Sequence, residues 1–312
     1  MTRKVPVVKP ISRSLQQAGA LALGYVILIL ILPPSEAGKH AYHLSSLGYR
    51  AALLAVALPS MLAWVAAFVG AARLRQFVGV VSASREGSHF EKLAGGATWL
   101  AWSLPVPSIV SLLFSTAASE WPGVHTATTI VGNYLYLILP LVGYSLMGDA
   151  SRALINQARL KFSIANIRAI IFTFLAAGVL YCYLIFRRLD LTSLGSADNI
   201  YRLPVWLVVL TIIVPYLYAW FAGLLAAYEI TLFSRHTAGV LYRQALQPLV
   251  VGLTIIILSS IALQYFSSVL PVRDHLVLDS RLILTLILRL IEAAGFLLMA
   301  LGATRLKRIE EL

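Results

Sequence analysis

The chain has 312 residues, 59% of them hydrophobic against 12% charged, and a mean hydropathy of +0.83. That composition excludes an ordinary water-soluble fold, and a single cysteine, Cys182, excludes an internal disulfide or a thiolate metal cluster. The net charge of +12 comes from basic residues scattered through connecting segments, so it follows membrane topology and speaks against a nucleic-acid partner.

Met1 to Gln16 is polar and carries Arg3, Lys4, Lys9 and Arg13. The apolar run behind it, Gln17 to Pro33, has the outline of a signal peptide, but Pro33 and Pro34 close it with no small-residue cleavage site, and it is read as a first span. Further apolar runs are Ala51 to Ala72, Ala97 to Ala117, Thr129 to Met147, Ala169 to Phe186, Pro204 to Tyr228, Pro248 to Phe266 and Leu282 to Leu301. A spanning helix needs about 20 apolar residues, so the sequence predicts eight spans with both termini on one side.

Lysine and arginine counts choose that side. The N-terminal, C-terminal and even-numbered connecting segments hold 17 of these residues, the opposite loops 7, and Arg289 lies within a span. Both termini are therefore predicted to be cytoplasmic, in a multi-pass protein of the cell membrane. Two cytoplasmic segments, Arg73 to Gly96 and Gly148 to Arg168, mix apolar with basic residues; each is expected to be a plain connector, with a short interfacial helix as the other option.

The chain repeats itself. Pro59-Ser-Met-Leu-Ala-Trp64 is echoed by Pro215-Tyr-Leu-Tyr-Ala-Trp220, and Gly96, Thr98 and Ser103 recur as Gly252, Thr254 and Ser259, all at a displacement of 156 residues. Gly143-Tyr-Ser-Leu-Met147 recurs as Gly295-Phe-Leu-Leu-Met299 at a displacement of 152, and Tyr49-Arg50 is matched by Tyr201-Arg202. An even number of spans per unit keeps the orientation, so the two repeats are parallel and related about the membrane normal. The expected layout is a cytoplasmic segment 1–16, a first four-helix repeat 17–150, a connector 151–168, a second repeat 169–304 and a cytoplasmic tail 305–312.

Arg289 and Glu292 are the strongest pointer to function. A lone charge at mid-membrane costs roughly 2.5 to 3.5 kcal/mol on insertion scales, so such residues face protein and find partners. At i, i+3 the two share a helix face. In one alignment they stand opposite Leu137 and Pro140, in the other opposite Asn133 and Tyr136, so the first repeat carries no charged counterpart. The pair reads either as a structural clamp or as a site where Glu292 takes a proton and Arg289 an anionic group, with Gln264, Asn133, Tyr134 and Tyr136 as polar neighbours. Pro59, Pro105, Pro107, Pro140 and Pro215 are expected to kink helices by removing backbone donors, and the Pro105/Pro107 stretch, Leu104-Pro-Val-Pro-Ser108, is the second place to look for a site.

Other chemistry is weakly signalled. His40-Ala-Tyr-His43, His125 and His275 fall on the extracytoplasmic side and read as loop residues before they read as a metal site. The sequence has no nucleophile elbow and no phosphate-binding loop, and its spans hold neither lysine nor histidine, so serines there read as interhelical hydrogen-bonding groups. No cofactor or metal is implied. The fold class is all-α, a polytopic membrane bundle of eight transmembrane helices in two parallel four-helix repeats. The function these features point to is small-solute transport or ligand binding within the bundle. The alternative is a membrane sensor or assembly subunit that works through its charged tail, and an intramembrane enzyme comes third. The expected partners are the lipid bilayer and, beyond it, a protein partner or a second copy of the chain.

Overall fold

The computed structural model describes residues 11–32, 46–81, 87–118, 122–158, 214–236, 239–269 and 280–310. Among them the regular elements are all α-helices: α1 (Ile11–Ile31), α2 (Ser46–Val81), α3 (Gly87–Trp102), α4 (Pro105–Ala118), α5 (Pro122–Gln157), α6 (Val214–His236), α7 (Val240–Val269) and α8 (Ser280–Glu310). Among the described residues six stretches are long and apolar enough to cross a membrane: Arg13–Ile31, Leu53–Val81, Gly87–Val110, Val214–His236, Val240–Leu263 and Ile283–Glu310. They overlap the first, second, third, sixth, seventh and eighth predicted spans. The fourth, 129–147, lies within α5, whereas the fifth, 169–186, and Cys182 lie outside the described residues.

The helices run beyond the apolar stretches that predict them. Both α2 and α5 have 36 residues, about 54 Å at 1.5 Å per residue, against a hydrocarbon thickness of about 30 Å. The segment from Arg73 to Gly96 is accordingly neither a plain connector nor a separate interfacial helix: α2 continues to Val81 and α3 begins at Gly87. The reason is a helical stripe past the apolar span. Leu74, Phe77 and Val81 recur at i, i+3 and i+7 and are buried, and the Phe77 ring meets Phe90 of α3 edge-on at 4.9 Å. Likewise α5 carries Leu154 and Ile155, both buried, through the start of the predicted 151–168 connector.

The charged tail is also part of the bundle. Ala303 and Leu306 of α8 are fully buried, and Tyr242 of α7 donates a 2.8 Å hydrogen bond from its hydroxyl to Glu310 Oε1.

The third predicted span, Ala97 to Ala117, is broken in two. Helix α3 ends at Trp102 and α4 starts at Pro105, with a turn at Ser103 and Leu104. Proline removes a backbone donor and disfavours helical geometry in the residue before it, which ends α3 while leaving Pro105 well placed to open α4. Ser103 covers part of the gap, its Oγ donating to the Leu100 carbonyl at 2.7 Å. Pro59, Pro140 and Pro248 instead lie inside continuous helices.

Six helices close a ring, each packed on the next in the order α2, α3, α5, α6, α7, α8 and back to α2. Helix α1 lies against α2, where Tyr25 meets Trp64 edge-on at 5.2 Å, and α4 lies against α5. Arg50 of α2 also ties the end of α1, its Nη2 3.4 Å from the Leu32 carbonyl oxygen.

Close backbone approach sets two of these contacts. Between α3 and α5, a methyl added at Gly96 would sit 2.6 Å from the Gly143 carbonyl oxygen and 3.2 Å from the Met147 nitrogen. Between α7 and α8, one added at Gly252 would strike the Gly295 carbonyl oxygen and sit 2.7 Å from the Met299 nitrogen. Small residues let helix backbones touch where apolar burial gives no advantage over lipid.

Candidate functional site

Helix α8 delivers the charged pair to the inside of the ring. Arg289 Nη1 is 2.6 Å from Glu292 Oε2, close enough for a charge-assisted hydrogen bond. Glu292 is buried at 4% exposure, and the Arg289 side chain keeps 20%. The carboxylate therefore depends on its partner more than the guanidinium does.

Both residues line a cavity with about 80 Å³ of space open to water. Leu100, Ser103 and Leu104 from the α3 end form one wall, and Ile256, Ser260 and Leu263 of α7 form another. Pro140 and Tyr144 of α5, Tyr216 of α6 and Phe296 of α8 complete it. A water molecule needs roughly 10 to 15 Å³ measured in this way, so the space suits a few waters, a small ion or a very small solute, and is well below the roughly 300 to 1,000 Å³ of sites for larger ligands. Its lining is mixed: two serines, two tyrosines and the ion pair against leucines, isoleucine, proline and phenylalanine.

Eight of the twelve lining residues fall into four pairs. Leu100 and Ile256, and Leu104 and Ser260, are separated by 156 residues; Pro140 and Glu292, and Tyr144 and Phe296, by 152. Each pair has one member from either side of the 151–168 segment.

The other residues singled out from the sequence are placed as follows. Pro105 and Pro107 open α4 and are buried beside the cavity wall at Leu104, without lining the cavity themselves. Asn133 belongs to α5 and Gln264 to α7, but their side chains, with those of Tyr134 and Tyr136, lie outside the described residues. His40, His43 and His275, and the side chain of His125, also lie outside them. Among the described residues no group of histidines, cysteines or carboxylates is arranged to hold a metal.

Sequence reasoning missed Tyr144, Tyr216, Ser260 and Phe296 at the cavity. Tyr144 and Phe296 sit inside the very repeat motifs quoted above, so asking where the two Gly-aromatic pairs point would have found them. It also missed Glu229, fully buried on α6. The signal was there: Ala226, Ile230 and Phe233 continue the buried face at i, i+4 and i+7 beyond the point, Tyr228, where the apolar run was ended. Comparison with protein families, with curated proteins and with solved structures finds no match to this chain.

Proposed function

We propose that this chain is a multi-pass membrane protein that moves or binds a small polar solute or ion at the cavity beside Glu292. The proposal includes eight spans in two parallel four-helix repeats, 17–150 and 169–304, with both termini cytoplasmic. Its main support is that the cavity carrying the ion pair is lined by residues from both proposed repeats, eight of the twelve in pairs that keep the sequence displacements. The order of packing agrees with that reading. Exchanging α2 with α6, α3 with α7 and α5 with α8 turns the ring into itself, and Gly96 against Gly143 has its counterpart in Gly252 against Gly295.

On this reading, binding sites sit at the repeat interface because that is where two halves can rock against each other. Within the site, Arg289 is the group that would meet an anionic ligand, while Glu292, its ion-pair partner, is the group that would accept a proton. Since the two charges neutralise each other, the occupied cavity stays close to neutral whenever ligand and proton enter together.

The test is accessibility in a background where Cys182 is replaced by serine. Ser260→Cys is expected to react with a small water-soluble thiol reagent, and the reaction is expected to slow when Glu292→Gln removes the charge that draws water into the cavity. Failure of Ser260→Cys to react from either side of a sealed vesicle, while exposed positions do react, would rule out a solvent-reached site. In the same background, Ser45→Cys and Asp198→Cys should react from outside and Ser88→Cys and Asn156→Cys should not. Labelling of all four from one side would defeat the eight-span topology.

A further inference from the structure

Glu229 stands apart from the cavity and belongs to a different contact, that of α6 with α5. Its carboxyl is fully buried, yet among the described residues its Oε1 has no hydrogen-bond partner. Its Oε2 is in hydrogen-bond contact with Ser151 Oγ, and that same Oγ lies 2.9 Å from the Gly148 carbonyl oxygen. Arg152 is the charged group facing it, with Nε 3.7 Å from Oε1, beyond hydrogen-bond reach, and with a side chain 58% exposed. Helix α7 also packs on α6, and its Arg243 is exposed and makes no ion pair with Glu229 among the described residues.

Counting protons decides between the two forms of this carboxyl. A serine hydroxyl has one proton to donate and lone pairs to accept with. If Glu229 is ionised, Oε2 and the Gly148 carbonyl compete for the single proton of Ser151, and a full charge stays buried with Oε1 lacking a hydrogen bond and an ion pair to Arg152 that is too long, at 3.7 Å, to supply one. Buried charges persist only when they are both paired and hydrogen-bonded. If Glu229 carries a proton, Oε2 donates to Ser151 Oγ and Ser151 donates onward to Gly148. Only a neutral carbonyl-type oxygen is then left without a donor, a far smaller cost.

We propose that Glu229, Ser151 and the Gly148 carbonyl form a proton-binding site between α5 and α6, with Arg152 as the counter-ion that closes on the carboxylate when the proton leaves. Release breaks the Oε2–H bond and passes the proton to solvent on the exposed Arg152 side. Arg152 then crosses the remaining gap and Ser151 turns its hydroxyl from Gly148 to the carboxylate. The site does not rest on the reading of the cavity.

The experiment is infrared spectroscopy of the full chain in lipid nanodiscs as pH is varied, following the carbonyl band of a protonated carboxylic acid. Wild type and Glu292→Gln are expected to show the band at neutral pH, and Glu229→Gln to lose it. Ser151→Ala should keep the band and shift it upward in frequency, since the acid loses its acceptor, which reports on the site even if the glutamine variant does not fold. Arg152→Gln should stay folded and move the loss of the band to higher pH. Absence of the band in wild type, its survival in Glu229→Gln, its loss in Glu292→Gln, or unfolding of Arg152→Gln would each overturn the proposal, the last because it would mean that Arg152 was holding a buried carboxylate anion.

Discussion

Where α3 meets α5, Gly96 and Gly143 bring the backbones together, and where α7 meets α8, Gly252 and Gly295 do the same. At three residues before and one residue after the second glycine of each pair, the first contact gives the cavity Pro140 and Tyr144, the second Glu292 and Phe296. The backbone requirement appears twice and the charge once. Packing two helices this closely allows nothing larger than hydrogen at the crossing, so both contacts obey the same constraint. Nothing in that constraint governs which side chain faces the cavity beside it, and there the two contacts have separated.

The difference can be broken first at the charge. Arg289→Leu is expected to cost about 3 to 5 kcal/mol of stability, because it leaves a buried carboxylate uncompensated. Glu292→Leu should cost less, since the Arg289 side chain retains 20% exposure and can be partly solvated. The double variant should recover most of the loss. Denaturant unfolding in detergent measures all three, and equal costs for the two single variants would show that their unequal burial does not matter. If the double variant is stable and still moves or binds its solute, the pair is a clamp and the site reading fails.

A smaller effect tests the half of the comparison that is alike. Gly96→Ala and Gly252→Ala should each cost about 1 to 3 kcal/mol by overpacking against backbone. Gly95→Ala is their control, since its added methyl would meet only Leu146 Cδ1 at 3.9 Å, and a change within about 0.5 kcal/mol is expected. Thermal melts of the three variants side by side would separate a crossing requirement from a general effect of glycine replacement.

A small change is also expected at Tyr144→Phe, which makes the two contacts identical at that position. Tyr144 is 2% exposed, so the ring packing is preserved and stability should change by no more than about 1 kcal/mol, the net worth of one hydrogen bond. Accessibility of Ser260→Cys in this variant should fall, because the cavity loses a polar group. Unchanged reactivity would mean that the tyrosine hydroxyl does not help to hold water there.

What could be read in advance follows the same division. The glycines, the paired serines and the charged pair were visible because composition restricts them: few residues can sit at a helix crossing, and few charges enter an apolar run. The break between α3 and α4 was half visible, since Pro105 and Pro107 announced a disturbance without saying that it would end one helix and start another. Glu229 was hidden by treating a charge as the edge of a span. A carboxyl that finds Ser151 on another helix satisfies a condition that no window of sequence contains. The continuation of α2 and α8 past their apolar runs was hidden for a related reason, because helix length is set by whatever the neighbouring helix offers to pack against, as Phe90 does for Phe77.

Helix α8 has one more consequence. It is a single rod of 31 residues, and from Glu292 to the exposed Arg308 it rises about 24 Å at 1.5 Å per residue. A tilt imposed at Glu292 is carried along the rod and enlarged toward its far end, where it works against the packing of Ala303 and Leu306. If a ligand enters the cavity as proposed, a fluorophore or spin label at Arg308 would act as the needle of a gauge whose bearing lies inside the protein.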